Sequence, residues 1–209
     1  MKKIDTKKLF SSQWEFLLGV ANIKQLPDHR NPEIAFIGAS NVGKSSIINA
    51  LLGRKIAIVS NTPGRTRQLN FFSSDKTKFD SLVLVDMPGY GFAKAGKADI
   101  ESWQKTSFEY LARRPNLKRV FLLIDPIKGL KESDEDIINM FNTLGVSFQI
   151  VFTKVDKLKI LEIQALEDEI NSRSKKWAAL YPGIIKTSSL QKIGIFDLQD
   201  AIVEILKFL

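Results

Sequence analysis

The sequence contains no cysteine and a single histidine. Without cysteine, disulfide bonds and cysteine-ligated metal sites are excluded, and thiol catalysis with them. A chain free of cysteine suits a reducing compartment, so we expect a cytoplasmic protein. The one histidine, His29, precedes Asn31 and Pro32. We interpret it as a loop residue and not as a catalytic group.

Long apolar runs are also missing, and no stretch approaches the roughly 18 apolar residues that a membrane span needs. The charged N-terminal start is typical of a signal peptide, but Gln13 and Glu15 interrupt its short apolar part. The final Lys-Phe-Leu offers no cysteine for prenylation. We therefore expect no membrane span. We predict a helical N-terminal extension over residues 1–30 and a single domain over 31–209.

The composition is that of a globular chain with an excess of positive charge. Its 209 residues are 44% hydrophobic and 26% charged, with a net charge of +8. A basic balance favours polyanionic partners such as RNA, ribosomes, DNA or anionic membrane. The alternative is that these charges form an ordinary solvated face. The candidate basic surface comprises Lys94, Lys97, Arg113, Arg114, Lys118 and Arg119.

Apolar runs alternate with amphipathic stretches along the whole chain, which predicts an α/β fold. The predicted strands are Glu33–Ile37, Leu69–Phe72, Leu82–Val85, Val120–Ile124, Ser147–Phe152 and Ile184–Lys186. The predicted helices are Ser45–Leu52 ending at Gly53, Ile100–Arg113, Asp134–Leu144 capped by Ser133, Ile160–Lys176 and Phe196–Leu209. This order indicates a three-layer P-loop NTPase fold with a mostly parallel sheet. Ligands of such sheets lie beyond the carboxyl ends of the strands.

A phosphate-binding loop follows the first predicted strand. Its residues match G-x-x-x-x-G-K-S between a strand and a helix, and are Gly38, Ala39, Ser40, Asn41, Val42, Gly43, Lys44 and Ser45. Glycines let backbone N–H groups converge on phosphate oxygens, and the helix N-terminus points at the same anion. We expect Lys44 to neutralise the β- and γ-phosphates and Ser45 to bind Mg²⁺. The alternative is a plain glycine turn.

A second motif, Asp86-Met87-Pro88-Gly89, ends another predicted strand. An aspartate at this place can hold Mg²⁺ through water, and the N–H of Gly89 can reach the γ-phosphate. Alone, the pattern would more often be a turn. Its place downstream of the phosphate-binding loop favours the functional interpretation.

The third motif, Thr153-Lys154-Val155-Asp156, predicts guanine recognition. Asp156 can accept the N1–H and the exocyclic amine of guanine, and adenine has no donor at either position. Two such bonds, at about 1.5–3 kcal/mol each, give at least about a hundredfold discrimination. Lys154 would lay its aliphatic stem along the base. Thr187, Ser188 and Ser189 follow the last strand and are candidates to brace the base through their backbone N–H groups.

Between the first helix and the second strand lies Thr62-Pro63-Gly64-Arg65-Thr66. A threonine here can bind Mg²⁺ and become ordered only with the triphosphate. We choose Thr66 over Thr62 for this role. The alternative is a Pro-Gly turn without function.

In order and in flanking residues, these motifs resemble the EngB family, also called YihA or YsxC. The runs TPGRTRQLNFF, DMPGYGFAK and TKVDKLK carry the resemblance, which extends from about residue 10 to the C-terminus. The family comprises bacterial and organellar GTPases required for assembly of the large ribosomal subunit and for normal growth and cell division. The resemblance implies a monomeric protein that contacts rRNA. Two slight departures are Met87, where the family often has Leu, and Thr187, where it often has Phe.

The resemblance also implies a full set of site residues. Beyond the motifs above, it places nucleotide contacts on Gly64, Arg65, Thr66, Arg67 and Gln68. It places Mg²⁺ on Ser45 and Thr66, with Asp86 added by the strand-end argument. Arg65 and Arg67 are either finger-like catalytic groups or rRNA contacts, and we favour RNA.

Many GTPases orient the attacking water with a glutamine directly after D-x-x-G, but here that residue is Tyr90. We therefore predict slow intrinsic hydrolysis that an external factor completes. One candidate is K⁺, because Asn41 lies where potassium-activated relatives carry an Asn ligand; a loop-stabilising hydrogen bond is the alternative. The other is the ribosomal particle. We assign the catalytic roles to Lys44, Thr66 and Asn41. In a competing interpretation, the protein is a nucleotide-gated binding module with incidental hydrolysis.

Overall fold

The computed structural model describes residues 5–59, 68–74, 82–90 and 97–207, with the backbone alone over 97–104. Its strands are β1 (Glu15–Val20), β2 (Glu33–Gly38), β3 (Leu69–Ser73), β4 (Val83–Asp86), β5 (Leu117–Ile124), β6 (Phe148–Phe152) and β7 (Ile185–Lys186). Its helices are α1 (Thr6–Phe10), α2 (Lys44–Leu52), α3 (Lys97–Arg113), α4 (Glu132–Leu144), α5 (Ile160–Ser174) and α6 (Ile195–Lys207). The predicted strands and long helices are confirmed, with ends that differ by a few residues.

One seven-stranded sheet carries the fold, in the order β1-β3-β4-β2-β5-β6-β7. From β4 to β7 all neighbours are parallel, whereas β3 pairs antiparallel with both β4 and β1. The central strand β2 is buried along its full length, as expected for a strand covered on both faces. The prediction of a mostly parallel sheet flanked by helices is therefore confirmed.

Two apolar clusters cover the two faces of the sheet. One packs Tyr110 of α3, Phe141 of α4 and Ile170 of α5 against the sheet. The other packs Ile48 of α2 and Ile202 of α6 on the opposite face. Because helices shield both faces, the polar loops at the carboxyl ends of the strands are left as the place for a ligand.

The prediction of a helical N-terminal extension is wrong over most of its length. Between residues 5 and 30, Thr6–Phe10 is α-helical and Ile23–Gln25 forms a single 3-10 turn, whereas Glu15–Val20 forms the edge strand β1. This strand pairs with β3, with a register shift between Phe16 and Leu18. Trp14, which we had placed in a helix, lies before β1 and is 1% exposed. The partner strand lies far away in sequence, so local periodicity could not reveal the pairing.

The predicted cap of α4 is also wrong. The helix begins at Glu132 with Lys131 as its N-cap, so Ser133 lies inside the first turn. The carboxylate of Asp134 accepts the backbone N–H of Lys131 at 2.8 Å. An acidic group in this position satisfies a free N–H and complements the helix dipole. By contrast, Gly53 ends α2 with φ 61°, as predicted.

Two residues of the candidate basic surface, Arg114 and Arg119, are engaged inside the molecule and are not free to bind a partner. Arg114 forms an ion pair at 2.6 Å with Glu33, which is fully buried. The guanidinium of Arg119 lies 3.5 Å from the ring centroid of Tyr181. Arg113 remains exposed. No helix in the described part of the chain is long and apolar enough to cross a membrane.

Candidate nucleotide-binding site

The loop between β2 and α2 has the backbone conformation that a phosphate cradle needs. Gly43, the N-cap of α2, has φ 110° and Asn41 has φ 64°. A residue with a side chain rarely adopts the first value, while asparagine tolerates the second. At Gly38, a Cβ atom would lie 2.7 Å from the carbonyl oxygen of Leu123. Glycine therefore lets the loop leave β2 pressed against β5.

The segment after β4 packs directly on this loop. The backbone N–H of Ser40 donates to the carbonyl oxygen of Tyr90 at 3.1 Å, and Ala39 and Tyr90 form a parallel bridge. A Cβ on Gly89 would lie 3.2 Å from Ser40 Oγ and 3.3 Å from the carbonyl oxygen of Gly38. The two motifs that sequence analysis placed at different strand ends are therefore in contact.

A buried cluster of charge lies beneath the loop. Lys44 is 9% exposed and Asp86 is 2% exposed. Burial lowers the pKa of the Lys44 ammonium and raises the pKa of the Asp86 carboxyl, while each charge opposes the shift of the other. Buried charges are stabilised when other charged or hydrogen-bonding groups replace the lost interactions with water. A polyanion at the loop would supply such compensation to Lys44.

Asp86 also has unused capacity to accept hydrogen bonds. Ser45 Oγ donates to Asp86 Oδ2 at 3.2 Å, whereas Asp86 Oδ1 is buried and accepts no hydrogen bond from the described residues. Buried polar atoms without a partner are rare, so this oxygen indicates a missing partner such as a water or ion. A hydroxyl beside a carboxylate is an oxygen donor set that suits hydrated Mg²⁺.

The Thr153–Asp156 motif is tied to the phosphate loop by two side chains. Thr153 Oγ1 donates to the carbonyl oxygen of Val42 at 2.8 Å. Lys154, with φ 54°, donates from Nζ to the carbonyl oxygen of Asn41 at 2.9 Å and to Asp125 Oδ2 at 2.7 Å. Asp156 follows in a short 3-10 turn over Val155–Lys157 and is half-buried.

Sequence reasoning missed Asp125. This residue directly follows β5 and its side chain is 6% exposed. A signal was present, because Asp125 ends an apolar strand as Asp86 and Thr153 do. Its pairing with Lys154 depends on the side-by-side arrangement of β5 and β6, which only the tertiary structure shows.

The loop after β7 lies beside the Thr153–Asp156 motif. The N–H of Val155 donates to the carbonyl oxygen of Thr187 at 3.2 Å, and the N–H of Thr187 donates to Phe152 at 2.7 Å. Ser188 is buried and Ser189 is half-buried. At Gly194 a Cβ would overlap the carbonyl oxygen of Lys186. A tight glycine turn thus presses this loop onto the end of β6.

Most of the predicted switch residues lie outside the described part of the chain, and the one that is described, Gln68, does not contact the phosphate loop. Thr62, Gly64, Arg65, Thr66 and Arg67 lie outside the described residues, as does Lys94. Gln68 is described and exposed. Its side chain would meet a Cβ on Gly19 of β1, and its amide donates to Asn70 Oδ1 at 3.4 Å. These contacts of Gln68 lie on β1 and β3 and not on the phosphate loop.

The side chain of Tyr90 forms a buried hydrogen bond that the sequence did not predict. Its hydroxyl donates to Asp134 Oδ1 at 2.6 Å, and the residue is 7% exposed. Burial raises the pKa of Tyr90, and the charge of Asp134 and the hydrogen bond to it raise the pKa further. The phenol therefore stays protonated and tied to α4. Helical periodicity gave no reason to single out Asp134.

The fold and this loop define a P-loop nucleotide-binding protein. The family described as "50S ribosome-binding GTPase" matches residues 33–154. The chain is 47% identical over 205 residues to a Brucella melitensis protein named "Probable GTP-binding protein EngB", covering 95% of this chain and 85% of that protein. The chain therefore belongs to the EngB family of P-loop GTPases.

Two crystal structures of Era share the fold. The chain matches Aquifex aeolicus Era bound to GDP and AlF4⁻ with a TM-score of 0.70 and 25% identity, covering 84% of this chain and 56% of that one. It matches Era in complex with MgGDPNP and nucleotides 1506–1542 of 16S ribosomal RNA with a TM-score of 0.66 and 25% identity, covering 85% of this chain and 57% of that one. The chain thus spans just over half of the length of Era.

Proposed function

We propose that this GTPase is a switch in assembly of the large ribosomal subunit, with slow intrinsic hydrolysis, and that it supports growth and cell division. The observation that carries the proposal is the buried Lys44–Ser45–Asp86 cluster under a loop already shaped for phosphate. A charged cluster of this kind costs stability unless a ligand compensates for it. Nucleotide binding would therefore also change the energetics of the surrounding loops.

In this proposal, backbone N–H groups of the loop 38–43 would bind the phosphates, and Lys44 would neutralise the β- and γ-phosphates. The N–H groups of Ser40 and Val42 are not among these donors, because they bond to the carbonyl oxygens of Tyr90 and Ala39. Mg²⁺ would be held by Ser45 and Thr66 directly and by Asp86 through water, and it supplies charge neutralisation between the phosphates. The orphan oxygen Asp86 Oδ1 supports that water. Among the described residues, no group of three or more His, Asp or Glu side chains offers another cation site.

The base would be read by Asp156 and held between Lys154 and the backbone of Ser188 and Ser189. Support comes from the contacts that join these loops, because Lys154 and Thr153 both bond to the phosphate loop. Base recognition and phosphate binding would then share one rigid framework. Met87 and Pro88 would complete the turn that presents the N–H of Gly89 to the γ-phosphate.

Slow hydrolysis is supported by the residue that follows Gly89. The Tyr90 hydroxyl is committed to Asp134, and no amide is present there to orient water. We propose that K⁺ bound by Asn41 assists the reaction. Asn41 is exposed, and its side chain forms no hydrogen bond with any residue in the described ranges, which speaks against a purely loop-stabilising role.

We further propose that the partner is the large ribosomal subunit or its precursor, and that the protein acts as a cytoplasmic monomer. The net charge of +8 supports binding to rRNA phosphate. The description of the matching family names the 50S subunit, which supports the large subunit as partner. The Era structure holds a fragment of 16S ribosomal RNA, so it supports binding to rRNA in general and not the choice of subunit. With Arg114 and Arg119 engaged internally, the exposed Arg113 remains a candidate for RNA contact. Arg65, Arg67 and Lys94, which lie outside the described residues, remain candidates from the sequence.

Nucleotide-dependent co-sedimentation with large-subunit precursors tests this proposal. We expect wild type to bind with a non-hydrolysable GTP analogue and to release with GDP, and we expect Lys44→Ala to lose this difference. Matched runs with Lys55→Ala, an exposed lysine beyond α2, control for loss of charge. Binding should fall steeply as salt rises. Binding that ignores nucleotide, or that persists in high salt, would contradict the proposal.

A second candidate is a nucleotide-gated RNA-binding module with incidental hydrolysis. The hydrogen bond from the Tyr90 hydroxyl to Asp134 favours this second function. With that hydroxyl occupied, none of the described residues is assigned to orient the attacking water. Single-turnover rates with and without large-subunit precursors separate the two. Acceleration by the precursor supports the switch, and an unchanged rate supports the module.

A further inference from the structure

Tyr90 joins three parts of the site that are distant in sequence. Its hydroxyl donates to Asp134 Oδ1 at 2.6 Å. The other carboxylate oxygen of Asp134 accepts the N–H of Lys131 at 2.8 Å, so the acceptor is fixed by the first turn of α4. The carbonyl oxygen of Tyr90 accepts the N–H of Ser40 in the phosphate loop at 3.1 Å.

Gly89, the residue before Tyr90, is consequently held close to the phosphate loop. A Cβ there would come within 3.2 Å of Ser40 Oγ and 3.3 Å of the Gly38 carbonyl oxygen. Its peptide is anchored on one side by β4 and on the other by Tyr90. Without the bond to Asp134, the segment after Asp86 would keep only its backbone bonds, from the Met87 N–H to the Phe36 carbonyl oxygen and from the Ser40 N–H to the Tyr90 carbonyl oxygen, and would lose its tie to α4.

We propose that Tyr90 is a positioning residue whose hydrogen bond to Asp134 holds the Gly89 N–H against the phosphate loop and so favours GTP over GDP. This inference rests on the proposed contact of Gly89 with the γ-phosphate. GDP lacks that phosphate, so it gains nothing from the position of Gly89. The tether thus contributes to triphosphate affinity alone.

The physical basis is a buried phenol bonded to a carboxylate. A hydrogen bond to a charged acceptor is among the stronger ones in proteins, and it is short here. Phenylalanine at this position would keep the ring packing and remove the tether. It would also remove this donor from Asp134 Oδ1, and because the carboxylate is buried, the loss lowers the stability of the protein.

The test compares dissociation constants for GDP and for a non-hydrolysable GTP analogue, both with Mg²⁺. Tyr90→Phe should weaken the analogue by about three- to tenfold relative to GDP. Asp134→Asn leaves one acceptor oxygen for two donors, the Tyr90 hydroxyl and the Lys131 N–H, so it should weaken the tether and give a loss in the same direction. The double variant should lower the affinity for the GTP analogue relative to GDP no further than Tyr90→Phe does, because both substitutions act on the same hydrogen bond.

Tyr110→Phe is the matched control. Its hydroxyl donates to Glu33 Oε2 at 2.9 Å, and both residues are fully buried. Glu33 begins β2, whereas the phosphate loop follows the other end of that strand. Tyr110→Phe should lower thermal stability as Tyr90→Phe does, and should leave the ratio of the two affinities unchanged.

Gly89→Ala separates this inference from the contact on which it rests. Alanine keeps the N–H, but its methyl would press on Ser40 Oγ and the Gly38 carbonyl oxygen and so shift the peptide. An unchanged affinity ratio in Gly89→Ala would mean that the exact position of this N–H does not determine the preference for triphosphate, which contradicts the proposal. If Gly89→Ala lowers the ratio while Tyr90→Phe does not, the contact stands and the tether is refuted. Equal weakening of both nucleotides by Tyr90→Phe, or the same ratio change in Tyr110→Phe, would also overturn the positioning role.

Discussion

Lys154 donates to the carboxylate of Asp125 across 2.7 Å, and the same ammonium donates to the carbonyl oxygen of Asn41 at 2.9 Å. The lysine thereby joins the end of β5, the end of β6 and the phosphate loop. Its backbone is held at φ 54°, a conformation that needs support from its surroundings. The position of Lys154 is therefore set by residues on two other elements.

Replacing the acceptor should weaken nucleotide binding in general. In Asp125→Asn the ion pair is lost, although the amide oxygen can still accept the N–H of Ile127. Because Lys154 is partly exposed, we expect only about a three- to tenfold loss, equal for GDP and a GTP analogue. Titration with fluorescent nucleotides measures it, with the exposed Asp168→Asn on α5 as control. A loss confined to one nucleotide would argue against a role at the base.

Asp156→Asn should change the base preference. The amide can no longer accept two donors from guanine, whereas xanthine offers a carbonyl oxygen to the new amide. We expect at least about a hundredfold loss for GTP together with a gain for the xanthine nucleotide. Competition binding with both nucleotides measures the switch. An unchanged preference for guanine would show that the base is read elsewhere.

Hydrolysis should respond to the monovalent cation. If Asn41 helps to bind K⁺ beside the phosphates, turnover will be faster in K⁺ than in Na⁺ at equal ionic strength. Asn41→Ala should abolish that difference, while GDP affinity in Na⁺ stays near that of wild type. Phosphate release under both salts provides the measurement. Equal turnover of the wild-type protein in the two cations would sink the idea.

Gly38→Ala should destabilise the protein. The new methyl would lie 2.7 Å from the Leu123 carbonyl oxygen and 2.9 Å from Val42 Cγ1, so the loop would have to shift. Overpacking of this kind typically costs about 1–3 kcal/mol in the free energy of unfolding. Urea denaturation measures the loss, with Ser46→Ala in α2 as a control that creates no clash. Wild-type stability in Gly38→Ala would show that the loop yields easily.

His29 should make stability fall in acid. Burial lowers the pKa of His29 and the charge of Arg114 lowers it further, even though Glu33 lies 3.2 Å away and raises it. The unfolded chain, with a histidine pKa of about 6.5, therefore binds the proton more readily than the folded one. Stability is then retained above about pH 6.5 and lost as the pH falls below it.

We expect the free energy of unfolding to drop more in wild type than in His29→Gln between about pH 7.5 and pH 5.5. Urea denaturation at each pH supplies both curves. Parallel curves would mean that the attraction to Glu33 cancels the effect of burial, and a smaller drop in wild type would mean that it outweighs burial. His29 thus acts through stability, in keeping with its assignment to a loop and not to catalysis.

The structure modifies the sequence-based prediction where contacts are non-local. Residues 15–20 have enough apolar side chains for a helix or a strand, and the decision came from β3, more than forty-five residues away in the chain. Ser133 has the residue type of an N-cap, but Lys131 is the N-cap and its N–H donates to the carboxylate of Asp134 in the first turn. The sequence predicts Arg114 and Arg119 as surface charges, whereas in the structure Arg114 pairs with Glu33 and Arg119 packs on the ring of Tyr181.

From the sequence alone came the P-loop, the order of strands and helices beyond residue 30, the Thr153–Asp156 motif and the family. Each of these depends on residue types at short, fixed spacings, which a linear chain displays directly. The folded structure was needed to show that Lys154 pairs with Asp125 and that the Tyr90 hydroxyl donates to Asp134. It also shows that Asp86 Oδ1 accepts no hydrogen bond from the described residues. Those relationships depend on which strand ends become neighbours and on burial, and neither is encoded by local spacing.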